Sequence, residues 1–325
     1  MDIPDLWRET DPLAEALQGL RMEGVFYCRS DFTAPWALRL PPLPGCLLFH
    51  VVTAGRCWLD IPGEPTRLLQ LGDLVLVPCS AGAVASAQGH RLSSAPGVPA
   101  VDLFDIPREV SSGCYEAIRY GAGGEATQMM CGAIRFEQPA ARHLVSLLPR
   151  VLHIESWRPP HPEWMHQTLR FMAAEAQQLR PGGEAVLTRL ADVLVIQALR
   201  AWMEQAPAGG GGWLGALKDR HIGRALARLH REPARAWTLA GLAEAACMSR
   251  SAFAARFTAL VGVPPMQYLA QWRMQLAHGE LQAGQASVGE LCQRLGYRSE
   301  AAFSRAFKRC IGLPPGTVRR QGAGR

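Results

Sequence analysis

The strongest constraint on this chain is a repeated pattern in its last third. Residues 249–265 recur as residues 299–315, so that serine, alanine, two phenylalanines, glycine and two prolines return after 50 positions. The matched pairs are Ser249/Ser299, Ala252/Ala302, Phe253/Phe303, Phe257/Phe307, Gly262/Gly312, Pro264/Pro314 and Pro265/Pro315. The helices predicted just before them align at an offset of 49, so the second copy carries one extra residue in its turn. Two copies indicate the duplication of one supersecondary unit rather than a solenoid.

Each copy predicts a helix, a tight turn and a second helix, at about 239–260 and at about 288–310. Serine or threonine stands before every one of these helices, where its side-chain oxygen can accept hydrogen bonds from free backbone N–H groups. The four residues are Thr238, Ser249, Ser287 and Ser299. Gly262 and Gly312 follow the second helix of each copy, where a left-handed residue commonly ends a helix. The capping residues therefore agree with the repeat.

The second helix of each unit has a buried face and an outward face on a helical wheel. Phe253 and Phe257 in the first copy, like Phe303 and Phe307 in the second, are predicted to pack on the preceding helix. The opposite faces could enter the major groove of duplex DNA, where base edges are read. The candidate DNA contacts are Arg250, Ser251, Ala254, Ala255, Arg256, Thr258, Arg298, Ser299, Glu300, Ala301, Ser304, Arg305, Lys308 and Arg309.

Arg305 is the strongest candidate for a base contact. A guanidinium binds guanine in a bidentate manner, and such a pair contributes about 1–3 kcal/mol to discrimination. Arg250, Arg256, Lys308 and Arg309 are predicted phosphate contacts, which position a protein on the duplex. The alternative for any one of these cations is a solvated helix face.

The distribution of charge and the segment between the two units also favour duplex DNA. From residue 216 to residue 325, 17 Lys and Arg outnumber 6 Asp and Glu, whereas residues 1–215 carry 17 against 22. A basic region of this kind favours a polyanion partner. Residues 266–282 predict a helix of about five turns. That helix would hold the two reading helices on successive major-groove segments, about 34 Å apart.

The segment 218–320 resembles the DNA-binding domain of AraC/XylS-type transcription regulators. The resemblance rests on LAEAACMSRSAFAARFTALVGVPPMQYLAQWRMQLA and on LGYRSEAAFSRAFKRCIGLPP. It implies that positions 251, 254, 255, 300, 301, 304 and 305 face the bases. Only Ser251 is polar among the first three. Discrimination is therefore expected to rest on the second unit, or on apolar contacts with thymine methyl groups.

A run of four glycines divides the chain. We predict a linker at 206–215, because consecutive glycines cannot hold a helix or strand at a reasonable entropic cost. Upstream, residues 163–179 and 185–204 predict two helices, and residues 11–22 predict a short amphipathic one. We assign 159–205 to a helical dimerisation segment, with packing on the chain's own N-terminal domain as the alternative.

Residues 24–136 contain short runs rich in Val, Leu, Phe and Trp, broken by Gly and Pro. Such a texture is typical of a β-barrel or β-sandwich. Through GDLVLVP at 72–78, the region resembles the cupin-type sensor domain of some members of the same family. The predicted fold class is therefore α+β multidomain. It comprises an N-terminal cupin-like β-barrel at 1–158 with a helical appendage, and a C-terminal all-α domain at 216–325 with two helix-turn-helix units.

The N-terminal domain lacks the ligands that a cupin enzyme uses for its metal. Such an enzyme holds a metal through His-x-His, a later Glu and a later His, and this chain offers only His50 of that set. A stable site needs three or four ligands, so we predict no metal, no cofactor and no enzymatic activity. A metal-dependent cupin enzyme is the alternative. The barrel would instead bind a small-molecule effector or sense oxidation, with core packing as the competing role for each residue involved. The candidate residues are Cys28, Trp36, His50, Trp58, Cys79 and Cys131.

The remaining composition favours a cytoplasmic protein. No apolar run approaches the roughly 20 residues of a membrane span, the acidic start is unlike a secretory signal, and the nine cysteines include no CxxC pair. We therefore expect a cytoplasmic transcription regulator that forms a homodimer and binds promoter or operator DNA without contacting a membrane. RNA polymerase is a further candidate partner.

Overall fold

The computed structural model describes residues 22–43, 45–79, 89–136, 145, 148–155, 163–178, 180–205 and 212–322. The predicted amphipathic segment 11–22, apart from its last residue, and positions 206–211 of the predicted linker lie outside the described residues. The described chain divides into two compact units, one holding residues 22–136 and 148–205 and the other residues 212–322. Within these residues, no helix is long and apolar enough to cross a membrane.

The first unit is built on two β-sheets that form the predicted barrel. Its strands are β1 (Met22–Thr33), β2 (Ala37–Leu40), β3 (Cys46–Ala54), β4 (Arg56–Asp60), β5 (Arg67–Gln70), β6 (Leu74–Pro78), β7 (His90–Ser93), β8 (Val101–Asp102), β9 (Arg108–Ser112), β10 (Tyr115–Gly121), β11 (Ala126–Phe136) and β12 (Leu152–Ile154). The larger sheet has the order β12-β6-β3-β11-β1-β10-β9, and the smaller one has the order β5-β4-β7-β2-β8. The predicted β-rich region is confirmed.

Strand β3 shows why this sequence forms a two-sided sheet. Side chains alternate between the two faces of a strand, and here both sets are buried. Leu48 and Val52 belong to the core inside the barrel, while Leu47 and Phe49 are buried on the opposite face. A strand that is covered on both faces reads as a continuous apolar run. His50 interrupts this run on the inward face.

Two helices follow the strands, α1 (Glu163–Gln178) and α2 (Gly183–Gln205), and α1 packs on α2. Helix α2 packs on β1 and β12, and the Tyr27 hydroxyl of β1 donates to the backbone oxygen of Leu187 at 3.0 Å. Leu187 and Leu194 are buried, whereas Val186 and Val193 are exposed. Packing on the chain's own domain is thus confirmed for one side of α2. Dimerisation through the other side stays a prediction.

The second unit is all-α. Its helices are α3 (Gly212–Ala216), α4 (Arg220–Arg231), α5 (Leu239–Ala245), α6 (Arg250–Val261), α7 (Pro265–Gln282), α8 (Val288–Arg294), α9 (Glu300–Ile311) and α10 (Pro315–Gly322). Helix α3 begins inside the predicted linker 206–215, because the apolar side chains of Trp213 and Leu214 are buried in this unit. A helix is therefore present from Gly212, within the last four residues of the predicted linker.

Helix α7 contributes to the cores of both helix-turn-helix units. Near its start, the Tyr268 ring lies 5.8 Å from that of Phe257 of α6, and the Tyr268 hydroxyl lies 2.8 Å from Nε2 of His230 of α4. Near its end, Leu281 is buried in the cluster that contains Phe303 and Phe307. One continuous helix thus fixes the two helix-turn-helix units with respect to each other.

Candidate nucleic-acid interface and barrel cavity

The first helix-turn-helix unit is α5 and α6. The Thr238 side chain accepts a hydrogen bond from the backbone N–H of Gly241 at 3.0 Å, and the Ser249 side chain accepts one from Ala252 at 3.4 Å. Helix α6 ends at Gly262, whose φ of 88° is left-handed. The predicted caps of this unit are confirmed.

The second helix-turn-helix unit, α8 and α9, has the same construction. Ser287 and Glu290 form a reciprocal capping box, and the Ser299 side chain accepts from Ala302 at 3.2 Å. Gly312 ends α9 with a φ of 85°. Because Ser299 is used as a cap, its hydroxyl is already engaged within the helix that it begins.

The extra residue of the second copy lies between its turn and the cap of α9. In the first turn Met248 N–H donates to Ala243, and in the second Tyr297 N–H donates to Cys292, both at 2.9 Å. These donors and acceptors match at the offset of 49, so the turns themselves are equivalent. The insertion is Arg298, which lies directly before the cap of α9 and is exposed.

Helix α6 presents a face with few polar groups. Ser251 and Ala255 are exposed, while Ala254 and Thr258 are half-buried. The Thr258 hydroxyl donates to the backbone oxygen of Ala254 at 2.8 Å, which engages it within its own helix. Among these four positions, only Ser251 offers an exposed polar side chain, as the sequence indicates.

Arg256 has an intramolecular partner. Its Nη2 lies 2.5 Å from Asp219, which caps α4 by accepting from the N–H groups of His221 and Ile222. Burial disfavours ionisation of Asp219, but the Ile222 N–H and the Arg256 guanidinium outweigh it and lower the pKa of that carboxyl. Arg256 therefore fastens α6 to α4, which leaves it less free to neutralise a phosphate than the sequence suggests.

Helix α9 presents the cationic face. Ala301, Arg305 and Lys308 are exposed on it, and Ser304 is half-buried between them. Glu300 and Arg309 are exposed on its flanks, as is Arg250 on α6. Within the described part of the chain, Arg250, Arg298, Arg305, Lys308 and Arg309 form no ion pair. Their charges are therefore available to an external anion, and Arg305 lies mid-helix beside the small side chains of Ala301 and Ser304.

A partly open cavity of about 350 Å³ lies between the two sheets of the barrel. Three of the predicted pocket residues, Cys28, His50 and Cys131, line it. The other three do not. Trp36 packs against Phe32 with ring centroids 4.4 Å apart. Cys79 lines a separate small cleft. Trp58 is half-buried on β4 between the inward Cys57 and Leu59, which places it on the outer face.

Two ionisable pairs border the cavity, one buried and the other half-buried, and each includes residues that the sequence analysis does not identify. Nε2 of His50 lies 2.8 Å from Nε2 of His90, which is contributed by the other sheet. Burial lowers the pKa of His90 to about 4, and burial together with the neighbouring ring of His90 lowers the pKa of His50 well below its usual range. Both rings are thus neutral at pH 7. Arg108 and Glu116 form the second pair at 3.4 Å.

Three buried thiols of the barrel, Cys28 and Cys131 at the cavity and Cys57 in the core, have raised pKa values. Cys28 and Cys131 are directly opposite each other on β1 and β11. Burial raises the pKa of Cys28 to about 11 and that of Cys57 to about 12, and it raises the pKa of Cys131 well above its usual range. Since the thiolate is the reactive form, the raised pKa values disfavour oxidation of these three thiols.

Comparison with known proteins identifies both parts of the chain. A cupin family model matches residues 11–204, and a helix-turn-helix domain model matches residues 242–321. An AraC-like transcription regulator of Streptomyces lividans is 33% identical over 312 residues, which cover 95% of this chain and 98% of that protein. The chain belongs to the AraC family of transcription regulators.

Other AraC-family relatives align over equally long stretches. An AraC-like regulator of Streptomyces antibioticus is 33% identical over 95% of this chain and 98% of its own length. The HTH-type transcriptional regulator AlkR of Acinetobacter baylyi is 28% identical over 96% and 99%, respectively. These relatives are transcription regulators, so the prediction of a regulator rather than an enzyme is confirmed. Among the described residues, no three His, Cys, Asp or Glu side chains lie together as a metal site would require.

Some of the site residues can be recognised in a single sequence, and others cannot, because their partners lie far away along the chain. The cap and outward positions repeat within the chain, so they are visible in one sequence. His90 and Asp219 act through partners 40 and 37 residues away. The alternation of β7 was the one available signal for His90, because it has the same parity as Leu92, which belongs to the barrel core.

Proposed function

We propose that this AraC-family regulator binds operator DNA sequence-specifically with α6 and α9 in adjacent major-groove segments, under the control of a small apolar molecule held in the barrel. The proposal rests on the presence of both features in one chain. The N-terminal unit contains an apolar cavity, and helix α9 of the DNA-binding unit carries cations that form no ion pair within the described residues. The cavity volume of about 350 Å³ lies within the 300–1,000 Å³ range of small-molecule sites.

Within this proposal, the two reading helices have different tasks. Helix α9 supplies base discrimination through Arg305, together with phosphate contacts from Lys308 and Arg309. Helix α6 contributes the hydroxyl of Ser251 and a face of small side chains, suited to van der Waals contact with thymine methyl groups. Base changes opposite α9 should therefore weaken binding more than base changes opposite α6.

A homodimer completes the proposed mechanism. Phe171 of α1 and Val186 and Val193 of α2 are exposed apolar side chains, and they offer a surface on which a second copy could pack. Ligand binding in the barrel would alter the geometry of that dimer. The chain at 206–211 would then change the effective concentration at which the DNA-binding units meet adjacent half-sites. RNA polymerase remains a candidate partner of the DNA-bound dimer.

The test is footprinting of the full chain on the DNA upstream of its own coding sequence. An ether extract of the producing cells serves as the ligand source. Ala133→Trp places a large side chain into the cavity that Ala133 lines, and Thr53→Trp at an exposed position of β3 is the matched control. We expect the extract to change the protection given by the wild type and by Thr53→Trp, but not by Ala133→Trp.

Two results would contradict the proposal. If the extract acts equally on Ala133→Trp and Thr53→Trp, the cavity is not the effector site. If hydrogen peroxide alone changes the protection, the signal is oxidation of a cysteine rather than a bound molecule.

A further inference from the structure

One buried side-chain nitrogen at the effector cavity has no hydrogen-bond partner among the described residues. Nδ1 of His50 is buried and makes no hydrogen bond with any described residue. Nε2 of the same ring is engaged with His90, so Nδ1 is its one free hydrogen-bonding position. His50 lines the cavity, whereas His90 does not. A buried polar atom without a hydrogen bond is destabilising, and a ligand in the cavity could supply the missing partner.

The other polar groups of the cavity are already satisfied. Ser30 Oγ and Cys28 Sγ lie 3.5 Å apart, and Cys28 also contacts the backbone oxygen of Arg29. Arg108 donates to the backbone oxygen of Leu103 at 2.9 Å in addition to pairing with Glu116. Most of the remaining wall is apolar. It includes Phe32, Leu38, Leu40, Leu48, Leu92 and Ala133.

The charges around the cavity cancel. Glu116 is 5% exposed and faces Arg108 at 3.4 Å, and both histidines are held neutral by burial. A ligand carboxylate near this pair would meet Glu116 as well as Arg108, and a ligand ammonium would meet Arg108 as well as Glu116. Either charged group would lose its hydration without gaining an uncompensated counter-charge, which is costly in an apolar site.

The tautomer of the histidine pair decides which neutral group fits. A neutral imidazole carries one proton. If His50 donates through Nε2, its Nδ1 can only accept a hydrogen bond, and if His90 donates, the Nδ1 of His50 carries the proton and donates. A hydroxyl group can meet either state, because it both donates and accepts. A carbonyl oxygen could meet only the second state.

From these observations, and on the basis of the proposed function, we infer that the effector is an uncharged hydroxyl compound with a hydrocarbon body. Its hydroxyl binds Nδ1 of His50, and its hydrocarbon part fills the apolar end of the cavity. His50 thus binds the polar end of the ligand, while the mutual neutralisation of Arg108 and Glu116 disfavours a fatty acid or an alkylamine of the same length.

The experiment compares three probes of equal chain length on the full-length protein: 1-decanol, decanoate and decylammonium. Affinities are measured by calorimetry at pH 7.5, and melting temperatures show that each variant is folded. His50→Asn keeps a hydrogen-bonding group near the position of Nδ1, whereas His50→Gln keeps one near the position of Nε2. Ala133→Trp, which blocks the cavity, tests whether any binding occurs in the barrel.

We expect 1-decanol to bind at least tenfold more tightly than either charged probe, because neither charge gains a free counter-ion. His50→Gln should weaken 1-decanol by about fivefold or more, in the range of one lost hydrogen bond, whereas His50→Asn should stay within about twofold. Decanoate or decylammonium binding as tightly as 1-decanol would overturn the uncharged class. Equal affinities of His50→Gln and His50→Asn for 1-decanol would overturn the role of Nδ1.

A different set of results would show that the proposed function itself is wrong. If Ala133→Trp binds 1-decanol as well as the wild type does, or if none of the three probes binds the wild type, the barrel is not an effector site of this kind. The inference then fails together with the proposed control by an apolar molecule. If 1-decanol binds in the barrel without the expected dependence on His50, only the inference fails.

Discussion

Acidification should destabilise the barrel through the buried pair of His50 and His90. Both rings are neutral in the folded protein, because burial holds their pKa values below the unfolded value of 6.5. Between pH 6.5 and about 4, the unfolded chain therefore binds more protons than the native one does. Stability then rises with pH in this window and is lost as the pH falls.

The pKa of His90 determines how much stability is lost on acidification. With a native value of about 4 against 6.5 in the unfolded chain, His90 alone costs about 2 kcal/mol on going from pH 7 to pH 5, and about 3 kcal/mol by pH 4. His50 adds to the loss in the same direction. A domain of this size commonly has a stability of 5–15 kcal/mol, so the effect is a large fraction of the total.

The assay is urea denaturation of the full chain at pH 7 and pH 5, with hydrogen exchange of the β3 and β7 peptides reporting on the barrel. The double variant His50→Leu/His90→Leu removes both titrating rings, and replacing both partners of a buried hydrogen bond by apolar groups can be nearly neutral. Other titrating groups are common to both proteins and cancel in the comparison. We expect the double variant to lose at least about 2 kcal/mol less than the wild type between the two pH values. Equal pH dependence of the two proteins would refute the reasoning.

Two further predictions concern the DNA-binding unit, and urea denaturation at pH 7 measures both. Gly296→Ala should cost about 1–2 kcal/mol, because Gly296 has a φ of 74° and a Cβ there would lie 3.3 Å from the backbone oxygen of Ala234. Cys247→Gly, at the equivalent position with a φ of 53°, should change stability by less than about 0.5 kcal/mol, because relief of the left-handed backbone is offset by unfolded-state entropy. Asp219→Ala should cost about 1–2 kcal/mol through the lost cap and the lost pair with Arg256, whereas Asp219→Asn should recover most of the capping part. An Ala variant no less stable than the Asn variant would contradict that assignment of Asp219.

The sequence predicts the DNA-binding unit in greater detail than the barrel, for a physical reason. Helix caps, turn glycines and the phenylalanine faces act within a few residues of chain. Thr238 and Ser249 therefore reveal their roles through spacing alone, and the duplication repeats the evidence. Barrel interiors are assembled from strands far apart in the chain, so a single sequence does not show which side chains meet.

The pocket residues illustrate this limit. Cys28 and Cys131 line the cavity, because both lie on inward positions of β1 and β11. Trp58 could have been excluded from strand parity, since its neighbours Cys57 and Leu59 face inward. The pairing of His50 with His90 joins two different sheets, and no local pattern encodes it.

The measurement that tests the central claim most directly is the DNA affinity of Arg305→Ala beside that of Arg231→Ala. Both changes remove one exposed arginine charge from the DNA-binding unit. Arg231 pairs with Glu232 at 3.5 Å, whereas Arg305 on the outward face of α9 forms no ion pair within the described residues. Fluorescence anisotropy with the duplex upstream of the coding sequence gives both affinities, at salt concentrations from about 50 to 200 mM, where phosphate contacts make binding strongly salt-dependent.

We predict that Arg305→Ala weakens binding to this duplex by about fivefold to 150-fold, equivalent to about 1–3 kcal/mol for a lost base contact, and relaxes the preference for one base pair. Arg231→Ala should stay within about twofold of the wild type at each salt concentration. Equal losses for the two variants would contradict the claim that the outward face of α9 reads the DNA.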